Sequence, residues 1–205
     1  MKIYLLRHGA TDWAEEGRIQ GHTDNPLNAN GKSQAASAGC FFARMNERID
    51  IIVSSPLLRA FQSAEIVADR IGYGKEKILV ESAFIERCFG YMEGYTPPEW
   101  ENFSDEKKVE IILQKGNSES VDELCTRGGA ALRKYVETYP GKTLLIVAHS
   151  SIIKATLTAA TNGKEPYNPG ASAFGTGEFC LLEYDMHTFS VAKVFRQAEI
   201  SGNIA

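Results

Sequence analysis

Near its start the chain carries Lys2-Ile3-Tyr4-Leu5-Leu6-Arg7-His8-Gly9, in which the short apolar run Ile3–Leu6 ends in two basic side chains. A continuous apolar run of this length, rich in branched residues, is typical of a strand covered on both faces of a sheet. Ile51–Val53 and Leu144–Val147 have the same character, and polar residues follow each of them. The three runs therefore predict the centre of a parallel sheet.

Longer segments with helical spacing lie between these runs and after the last of them. They are Gly31–Arg48, Leu57–Ile71, Val121–Thr138 and Ser151–Ala160. In the second of these helices, Ser55 is expected to act as the cap and Pro56 to take the first helical position. Strands that alternate with helices indicate an α/β layered domain.

The segment from Gly170 onward no longer alternates short apolar runs with helical segments. Phe179–Tyr184 and Phe189–Phe195 are separated by a turn around Asp185-Met186-His187, which predicts an antiparallel hairpin at an edge of the sheet. The predicted fold class is thus α/β, a three-layer sandwich with a mostly parallel central sheet, an antiparallel edge and a small cap insertion.

The cap insertion is predicted at about residues 94–117, where the rhythm of strands and helices is interrupted. This segment contains Pro97-Pro98, and Ser104–Lys115 within it is predicted to be a helix. Such an insertion is often a lid or substrate-selecting element, and a plain surface excursion is about as common. No linker composition or internal repeat divides the chain, so residues 1–205 are predicted to form a single domain.

Composition excludes several classes of partner. The 205 residues include 22 Lys plus Arg and 26 Asp plus Glu, a formal charge of −4 that disfavours nucleic acid as a partner. No apolar stretch reaches the ~18 residues that span a bilayer, and no signal peptide is recognisable, so we expect no membrane partner and a cytoplasmic location. The 4 cysteines are widely spaced and are expected to be reduced.

Four basic side chains are expected to meet at one edge of the predicted sheet. Arg7 and His8 follow the first strand, His149 follows the third, and Arg59 lies in the first turn of the helix after the second. Neighbouring strands lie about 5 Å apart, so these groups would crowd together unless an anion neutralises them. Guanidinium groups match phosphate well, and the sequence therefore predicts a phosphoryl-binding site.

His8 is the candidate nucleophile of this site. Positive surroundings favour its neutral form, and a neutral imidazole with a free ring nitrogen can attack phosphorus. Attack on a phosphate ester also needs a proton donor for the leaving oxygen. Glu86 and Glu93 lie in a glycine-bounded, loop-like stretch and are both candidates, since spacing alone does not choose between them.

These residues form a recognisable pattern. Arg7-His8-Gly9 with Thr11 and Trp13 resembles the R-H-G-E-T-x-W signature of the histidine phosphatase superfamily, particularly its phosphoglycerate mutase-like branch. Further similar blocks follow in the same order: Gly17-Arg18-Ile19-Gln20-Gly21, Asp24-Asn25-Pro26-Leu27, Ser54-Ser55-Pro56-Leu57-Leu58-Arg59-Ala60 with Gln62, Glu86 to Gly94, and Val147-Ala148-His149. The resemblance extends over residues 3 to about 155.

The resemblance implies a histidine acid phosphatase-type enzyme that works by a ping-pong mechanism. His8 becomes phosphorylated while Arg7, Arg59 and His149 hold the phosphoryl oxygens and stabilise charge on the transferring group. Glu86 matches the proton donor of the family and later activates the water that hydrolyses the phosphohistidine. No cofactor and no metal is implied.

Four further residues are implied as substrate contacts. Gln20 falls where family members touch the substrate phosphate, Thr11 lies beside the nucleophile, Arg87 matches an arginine that can bind a substrate carboxylate, and Ser150 offers a backbone amide. Glu93, by contrast, matches a position that is usually structural.

Three positions depart from the family pattern. Ala10 replaces a glutamate, Ala14 replaces a phosphate-contacting asparagine, and Ser150 replaces a glycine. Loss of the asparagine amide is expected to weaken phosphate binding by roughly 1 kcal/mol. None of the three changes removes a participant in the chemistry, so they bear on affinity and substrate rather than on reaction class.

The sequence favours a phosphatase that acts on a small phosphorylated metabolite, with a cofactor-dependent phosphoglycerate mutase as the main alternative. Mutases carry a longer insertion with adjacent arginines, whereas this insertion is short and holds Lys107, Lys108 and Lys115 but no arginine. A mutase must keep its phosphohistidine away from water, which a short insertion does poorly.

Two other hypotheses belong to different classes. One makes His8, His149 and Glu86 ligands of a catalytic metal, although two flanking arginines would repel a cation. The other is a phospholigand-binding protein that has kept the pocket and lost activity. The sequence leaves the particular substrate and the oligomeric state open, a homodimer among the options.

Overall fold

A computed structural model of the chain describes residues 1–45, 48–168 and 174–202. Its strands are β1 (Lys2–Arg7), β2 (Ile51–Ser54), β3 (Leu79–Val80), β4 (Leu144–Ala148), β5 (Phe179–Tyr184) and β6 (Phe189–Phe195). Within the described residues they form one 6-stranded sheet in the order β3-β2-β4-β1-β5-β6. Strands β3, β2, β4 and β1 are parallel, and β5 and β6 form an antiparallel hairpin beside β1. The predicted sheet is confirmed, and Gly170 lies outside the described residues.

The helices are α1 (Asp12–Glu15), α2 (Ala29–Arg44), α3 (Leu58–Arg70), α4 (Pro97–Glu101), α5 (Asp105–Lys115), α6 (Val121–Thr138), α7 (Ser150–Ala160) and α8 (Gln197–Ser201). Helix α2 begins before the predicted Gly31 because the Asn28 side chain caps it by accepting a hydrogen bond from the Gly31 amide at 2.8 Å. The predicted end at Arg48 is wrong, since the helix ends at Arg44, and residues 46 and 47 lie outside the described part of the chain.

The expected start of α3 is also wrong. Neither Ser55 nor Pro56 takes the predicted role, because Leu57 is the capping residue and its side chain makes no capping hydrogen bond. The carboxylate of Asp24 accepts from the Leu58 amide at 2.7 Å instead. A free amide at a helix start needs such an acceptor, and here a distant loop supplies it.

Both faces of the sheet are covered, because successive residues of a strand point to opposite faces. On one face, Leu5 belongs to a core with residues of α6 and α7, including Leu132 and Ile152. On the other face, Leu6 belongs to a core with residues of α2 and α3, including Val67. The three layers predicted from the sequence are therefore present.

The segment between Gly94 and Asn117 contains helices α4 and α5 and packs against the loop that follows β1. The Gly94 amide donates to the carbonyl oxygen of Ile19 at 2.8 Å, and the Ile19 amide donates to that of Tyr95 at 3.0 Å. None of the described helices is long and apolar enough to cross a membrane.

Candidate active site

The order of the central strands brings the predicted basic residues together. β4 lies between β2 and β1, with Ser54 opposite Val147 and Arg7 opposite Ala148 at their carboxyl ends. The residues that come next, His8 and His149, therefore leave the same edge, and their ring centroids are 5.0 Å apart.

His8 is a buried imidazole with one ring nitrogen available. Its side chain is 3% exposed, and Nδ1 lies 2.7 Å from the carbonyl oxygen of Gly9. A carbonyl only accepts hydrogen bonds, so Nδ1 carries the proton and Nε2 has a free lone pair. Burial, followed by the charges of Arg59 and Arg7, lowers the pKa of His8 well below its usual range. The ring is therefore neutral near pH 7, which is the form that acts as a nucleophile.

His149 is completely buried beside it. Its Nε2 lies 2.7 Å from the Ser55 hydroxyl, and its Nδ1 has no hydrogen-bond partner among the described residues. Burial and the charge of Arg59 lower the pKa of His149 well below its usual range. The ring is thus neutral, with one buried nitrogen left to meet a ligand.

Two buried guanidinium groups supply the positive charge. Arg59 is 1% exposed and donates to the carbonyl oxygens of Gly21 at 2.7 Å and Thr23 at 2.9 Å. Its Nε is buried and has no hydrogen-bond partner within the described part of the chain. Burial lowers the pKa of Arg59 to about 10, so it remains a cation at neutral pH. Arg7 donates to the carbonyl oxygen of Phe174 at 2.6 Å, and burial lowers its pKa as well.

A cavity of about 270 Å³ opens onto His8 and the two guanidinium groups, whereas His149 lies behind its lining. Its lining includes Arg7, His8, Gln20, Arg59, Glu86 and Ser151. A larger cleft of about 740 Å³ near Ile49 and Tyr73 holds none of the predicted site residues. The smaller cavity combines the cations Arg7 and Arg59 with the unpartnered buried Nε of Arg59, an arrangement that fits an anion such as a phosphoryl group.

Glu86 reaches this cavity from the loop after β3. It is 8% exposed, and its carboxylate accepts from the amides of Arg87 at 2.8 Å, Ile152 at 3.1 Å and Ser151 at 3.3 Å. Two of the first amides of α7, those of Ser151 and Ile152, thus bind Glu86. The helix start therefore fixes the carboxylate at the edge of the cavity.

Glu93 joins two loops. Its carboxylate accepts from the amides of His22, Thr23 and Phe89 at 3.0–3.1 Å and from the Thr23 hydroxyl at 2.9 Å. All these donors are neutral groups of the surrounding loops. Glu93 therefore connects the loop at residues 22–23 with residues 89–93.

Thr11 and Gln20 lie together in the loop after β1. The Thr11 hydroxyl accepts from the Ala14 amide at 3.1 Å, which caps α1, and donates to Gln20 Oε1 at 2.8 Å. Since Oε1 is engaged by Thr11, the side-chain NH₂ of Gln20 is the group that can donate to a ligand in the cavity.

Arg87 and Ser150 lie next to the cavity rather than in its lining. The Nε of Arg87 donates to the carbonyl oxygen of Glu119 at 2.8 Å, and the guanidinium lies 5.2 Å from the centre of the Phe89 ring. Ser150 is the first residue of α7, whereas the following residue, Ser151, lines the cavity.

Close backbone contacts hold the nucleophile loop against α2 and α3. A Cβ added to Gly9 would overlap the carbonyl group of Gly31, and one added to Gly31 would overlap that of Ala10. The Gly9 amide donates to the Ser63 hydroxyl at 3.0 Å, and the Ala10 amide donates to Gln34 at 2.8 Å. The loop that carries His8 is therefore fixed from two sides.

Sequence reasoning missed several residues around the site. Ser55 contacts His149, and the exposed His22 lies with its Nε2 2.8 Å from the carbonyl oxygen of Glu86. Arg127 donates to the same carbonyl oxygen at 3.0 Å. No local sequence pattern signals these contacts, because each joins residues more than 40 positions apart.

Aromatic residues in and beside the segment between Gly94 and Asn117 pack on one another. Tyr91 and Trp100 lie with ring centroids 4.7 Å apart, and Phe103 meets Tyr95 at 5.1 Å. Among the residues that the structure describes, no group of three or more His, Cys, Asp or Glu side chains is arranged to hold a metal ion.

Comparison with known proteins identifies a family. Residues 3–197 match the sequence profile described as histidine phosphatase superfamily (branch 1). The chain is 38% identical over 161 residues, 78% of both chains, to "Uncharacterized phosphatase PhoE" of Bacillus subtilis. It is 32% identical over 162 residues, 75% of this chain and 68% of the other, to "Phosphoglycerate mutase-like protein 4" of Arabidopsis thaliana.

A solved structure has the same fold. The chain superimposes with a TM-score of 0.77 and 24% identity on phosphoserine phosphatase from Entamoeba histolytica in complex with 3-phosphoglyceric acid, covering 97% of this chain and 98% of that one. At this level of identity the likeness concerns the fold.

Proposed function

Because the chain belongs to the histidine phosphatase superfamily, we propose that it is a phosphomonoester hydrolase that works through a phosphohistidine on His8. The observation that carries this proposal is the state of His8, a neutral imidazole with a free Nε2, buried beside Arg7 and Arg59. The similarity to a Bacillus subtilis protein named as a phosphatase supports hydrolysis as the reaction. The finer proposal is a histidine acid phosphatase-type enzyme.

In the first step Nε2 of His8 attacks phosphorus. The bond from phosphorus to the ester oxygen breaks, and the leaving oxygen takes a proton from the Glu86 carboxyl group. This transfer needs Glu86 in its protonated form, and the role is supported by the position of Glu86 in the lining of the same cavity as His8. The products are the free alcohol, phosphohistidine and the Glu86 carboxylate.

In the second step water replaces the alcohol. The Glu86 carboxylate accepts a proton from water as the oxygen attacks phosphorus, and the bond from phosphorus to Nε2 breaks. Inorganic phosphate leaves, His8 is again neutral and Glu86 is again protonated. The cycle therefore balances without a cofactor.

Arg7, Arg59 and His149 are proposed to hold the phosphoryl oxygens in both steps. Charge on the transferring group spreads over its equatorial oxygens, and prearranged donors in a buried site stabilise it strongly. The unpartnered Nε of Arg59 and Nδ1 of His149 are the donors that support this assignment. Thr11, Gln20, Arg87 and Ser150 remain proposed substrate contacts.

The proposed substrate is a small phosphorylated metabolite. A cavity of about 270 Å³ lies just below the usual range for small-molecule sites, so it suits a phosphate group with a compact leaving group. The Entamoeba phosphatase was solved with 3-phosphoglyceric acid, a compound of this size class.

The test is rapid-quench labelling during turnover of a ³²P-labelled phosphomonoester, with 4-nitrophenyl phosphate as the first steady-state substrate. We expect an acid-labile label on His8 and loss of label and turnover in His8→Asn. His187→Asn is the matched control, because His187 is exposed in the β5–β6 turn and should leave both readouts unchanged. Turnover without label on His8 would contradict the proposal.

The same preparation separates phosphatase from mutase, which the similarity to the Arabidopsis mutase-like protein keeps as the second candidate. The enzyme is incubated with 3-phosphoglycerate and a bisphosphorylated primer. Release of inorganic phosphate faster than isomerisation is expected for a phosphatase. Isomerisation much faster than phosphate release would assign a mutase, and binding without either reaction would assign a phospholigand-binding protein.

A further inference from the structure

One guanidinium outside the cavity holds the main chain that leads into Glu86. Nη1 of Arg127, on α6, donates to the carbonyl oxygens of Ala83 and Ile85, both at 2.8 Å, and Nη2 donates to that of Glu86 at 3.0 Å. Three carbonyl groups within four residues thus face a single cation. A planar guanidinium fixes such acceptors in both distance and direction.

Glu119 fixes Arg127 in turn. Nε of Arg127 donates to Glu119 Oε1 at 2.7 Å and Nη2 to Oε2 at 3.0 Å, a two-pronged ion pair whose side chains are 22% and 16% exposed. Burial opposes the charge on Glu119, but the hydrogen bond from Arg127 keeps the pKa of this carboxyl below its usual range. Glu119 also accepts from the Cys88 amide at 3.3 Å. Both members of the ion pair, which we call the Arg127–Glu119 clamp, are therefore hydrogen-bonded to the loop that carries Glu86.

The held segment has little regular structure of its own. Ala83 lies in a single 3-10 turn, Ser82–Phe84, and Ile85 and Glu86 belong to neither a helix nor a strand. Besides Arg127, His22 contacts the Glu86 carbonyl oxygen, and the Glu86 carboxylate contacts the start of α7. The start of α7 therefore holds the carboxylate of Glu86, and Arg127 with His22 holds its backbone.

We propose that Arg127 is a positioning residue for proton transfer, which sets the Glu86 carboxyl group against the leaving oxygen without touching the substrate. The inference rests on the proposed function of Glu86 as general acid. Small errors in the placement of a reacting group reduce rates strongly, so loss of the clamp should impair proton donation more than phosphoryl binding.

The experiment compares two substrates in Arg127→Gln. An alkyl phosphate such as glycerol 2-phosphate needs its leaving oxygen protonated, whereas 4-nitrophenolate leaves readily without a proton. Since kcat/KM reports the steps up to the first phosphoryl transfer, it isolates donation from later hydrolysis. We expect kcat/KM to fall at least tenfold for the alkyl phosphate and less than threefold for the aryl phosphate. Arg133→Gln, exposed on the same helix, should change neither value.

A double-variant cycle tests whether the effect passes through Glu86. In a Glu86→Gln background the donor is already absent, so adding Arg127→Gln should bring no further loss for the alkyl phosphate. A purely structural role would bring the same loss in both backgrounds. If Arg127→Gln fails to fold, Arg127→Lys takes its place, because an ammonium group keeps the charge but lacks the planar fork that holds three carbonyl groups and Glu119 at once.

The outcomes separate this inference from the proposed function. Equal losses for both substrates, or the same loss with and without Glu86, would overturn the role of Arg127 and leave the phosphohistidine mechanism intact. Absence of label on His8 in the unaltered enzyme would overturn the proposed function itself. The positioning role is supported if Arg127→Gln lowers kcat/KM mainly for the alkyl phosphate, and does so only in the protein that still contains Glu86.

Discussion

The ring of His149 and the hydroxyl of Ser55 are joined by a hydrogen bond of 2.7 Å between Nε2 and Oγ. A serine hydroxyl can donate or accept, so it selects which nitrogen of the ring carries the proton. If Ser55 donates, the proton lies on Nδ1, which is the buried nitrogen without a partner in the described chain. His149 is then a hydrogen-bond donor toward a phosphoryl oxygen.

Ser55→Ala should therefore weaken the reaction without abolishing it. Removing one neutral hydrogen bond of about 1.4 kcal/mol corresponds to a loss of about tenfold in kcat/KM, and the ring keeps its place. Steady-state kinetics with 4-nitrophenyl phosphate measure this. Ser54→Ala is the matched control, because that buried hydroxyl donates to the Ser55 carbonyl group instead. An equal loss in the control would show that the hydroxyl of Ser55 has no special role.

The two buried histidines should make stability depend on pH. Burial lowers the pKa of both His8 and His149 well below the usual range in the folded protein. Below about pH 6.5 the unfolded chain binds protons at these rings and the folded chain does not, so the free energy of unfolding falls as pH falls. Above that pH both states are neutral and these residues contribute no slope.

The expected slope below pH 6.5 is about 1.4 kcal/mol per pH unit for each ring. Urea unfolding between pH 5.5 and 7 in phosphate-free buffer measures it. In His149→Asn the slope of the unfolding free energy against pH should fall by the contribution of one ring. His187→Asn should keep the full slope, because the His187 ring is exposed. An unchanged slope in His149→Asn would mean that the ring accepts its proton in the folded state as well.

Much of this site could be predicted because it follows from local patterns. The runs that became β1, β2 and β4 are short and apolar and end in polar residues, and the carboxyl ends of parallel neighbours meet at one edge. The convergence of His8 and His149 needed no more than this.

Other parts carry no local signal. β3 is only two residues long, Leu79–Val80, and Val80 is 54% exposed, so no periodicity marks it. The helix start at Leu58 depends on Asp24, and the contact of Arg127 with Glu86 depends on how α6 packs beside the loop. Such contacts join distant parts of the sequence and become visible only in three dimensions.

Gly31→Ala should disrupt the nucleophile loop. A methyl group at Gly31 would overlap the Ala10 carbonyl oxygen, and backbone cannot rotate away as a side chain does. We expect a loss of about 3 kcal/mol in the free energy of unfolding and reduced turnover, since the loop that carries His8 must shift. Ser33→Ala, exposed on the same helix, should stay within about 0.5 kcal/mol of the unaltered protein. Thermal and urea unfolding compare the two, and equal stability would show that α2 moves freely.

Substitutions of the two loop glutamates, Glu86 and Glu93, should differ in how the loss of kcat/KM depends on the leaving group of the substrate. Glu86→Gln removes the proposed proton donor, so kcat/KM for an alkyl phosphate should fall about 100-fold or more, with a much smaller fall for 4-nitrophenyl phosphate. Like Glu86→Gln, Glu93→Gln turns an amide NH₂ toward donor groups, here those of His22, Thr23 and Phe89, but it leaves the proposed proton donor in place. That should cost about 1–3 kcal/mol of unfolding free energy and reduce both substrates by the same factor.

Measuring both substrates and the urea midpoint on the two variants decides the assignment. A leaving-group-dependent loss in Glu93→Gln with none in Glu86→Gln would move the acid to position 93. Both carboxylates accept from several donors, but the geometry argues against that result because, of the two, it is Glu86 that lies in the lining of the cavity with His8.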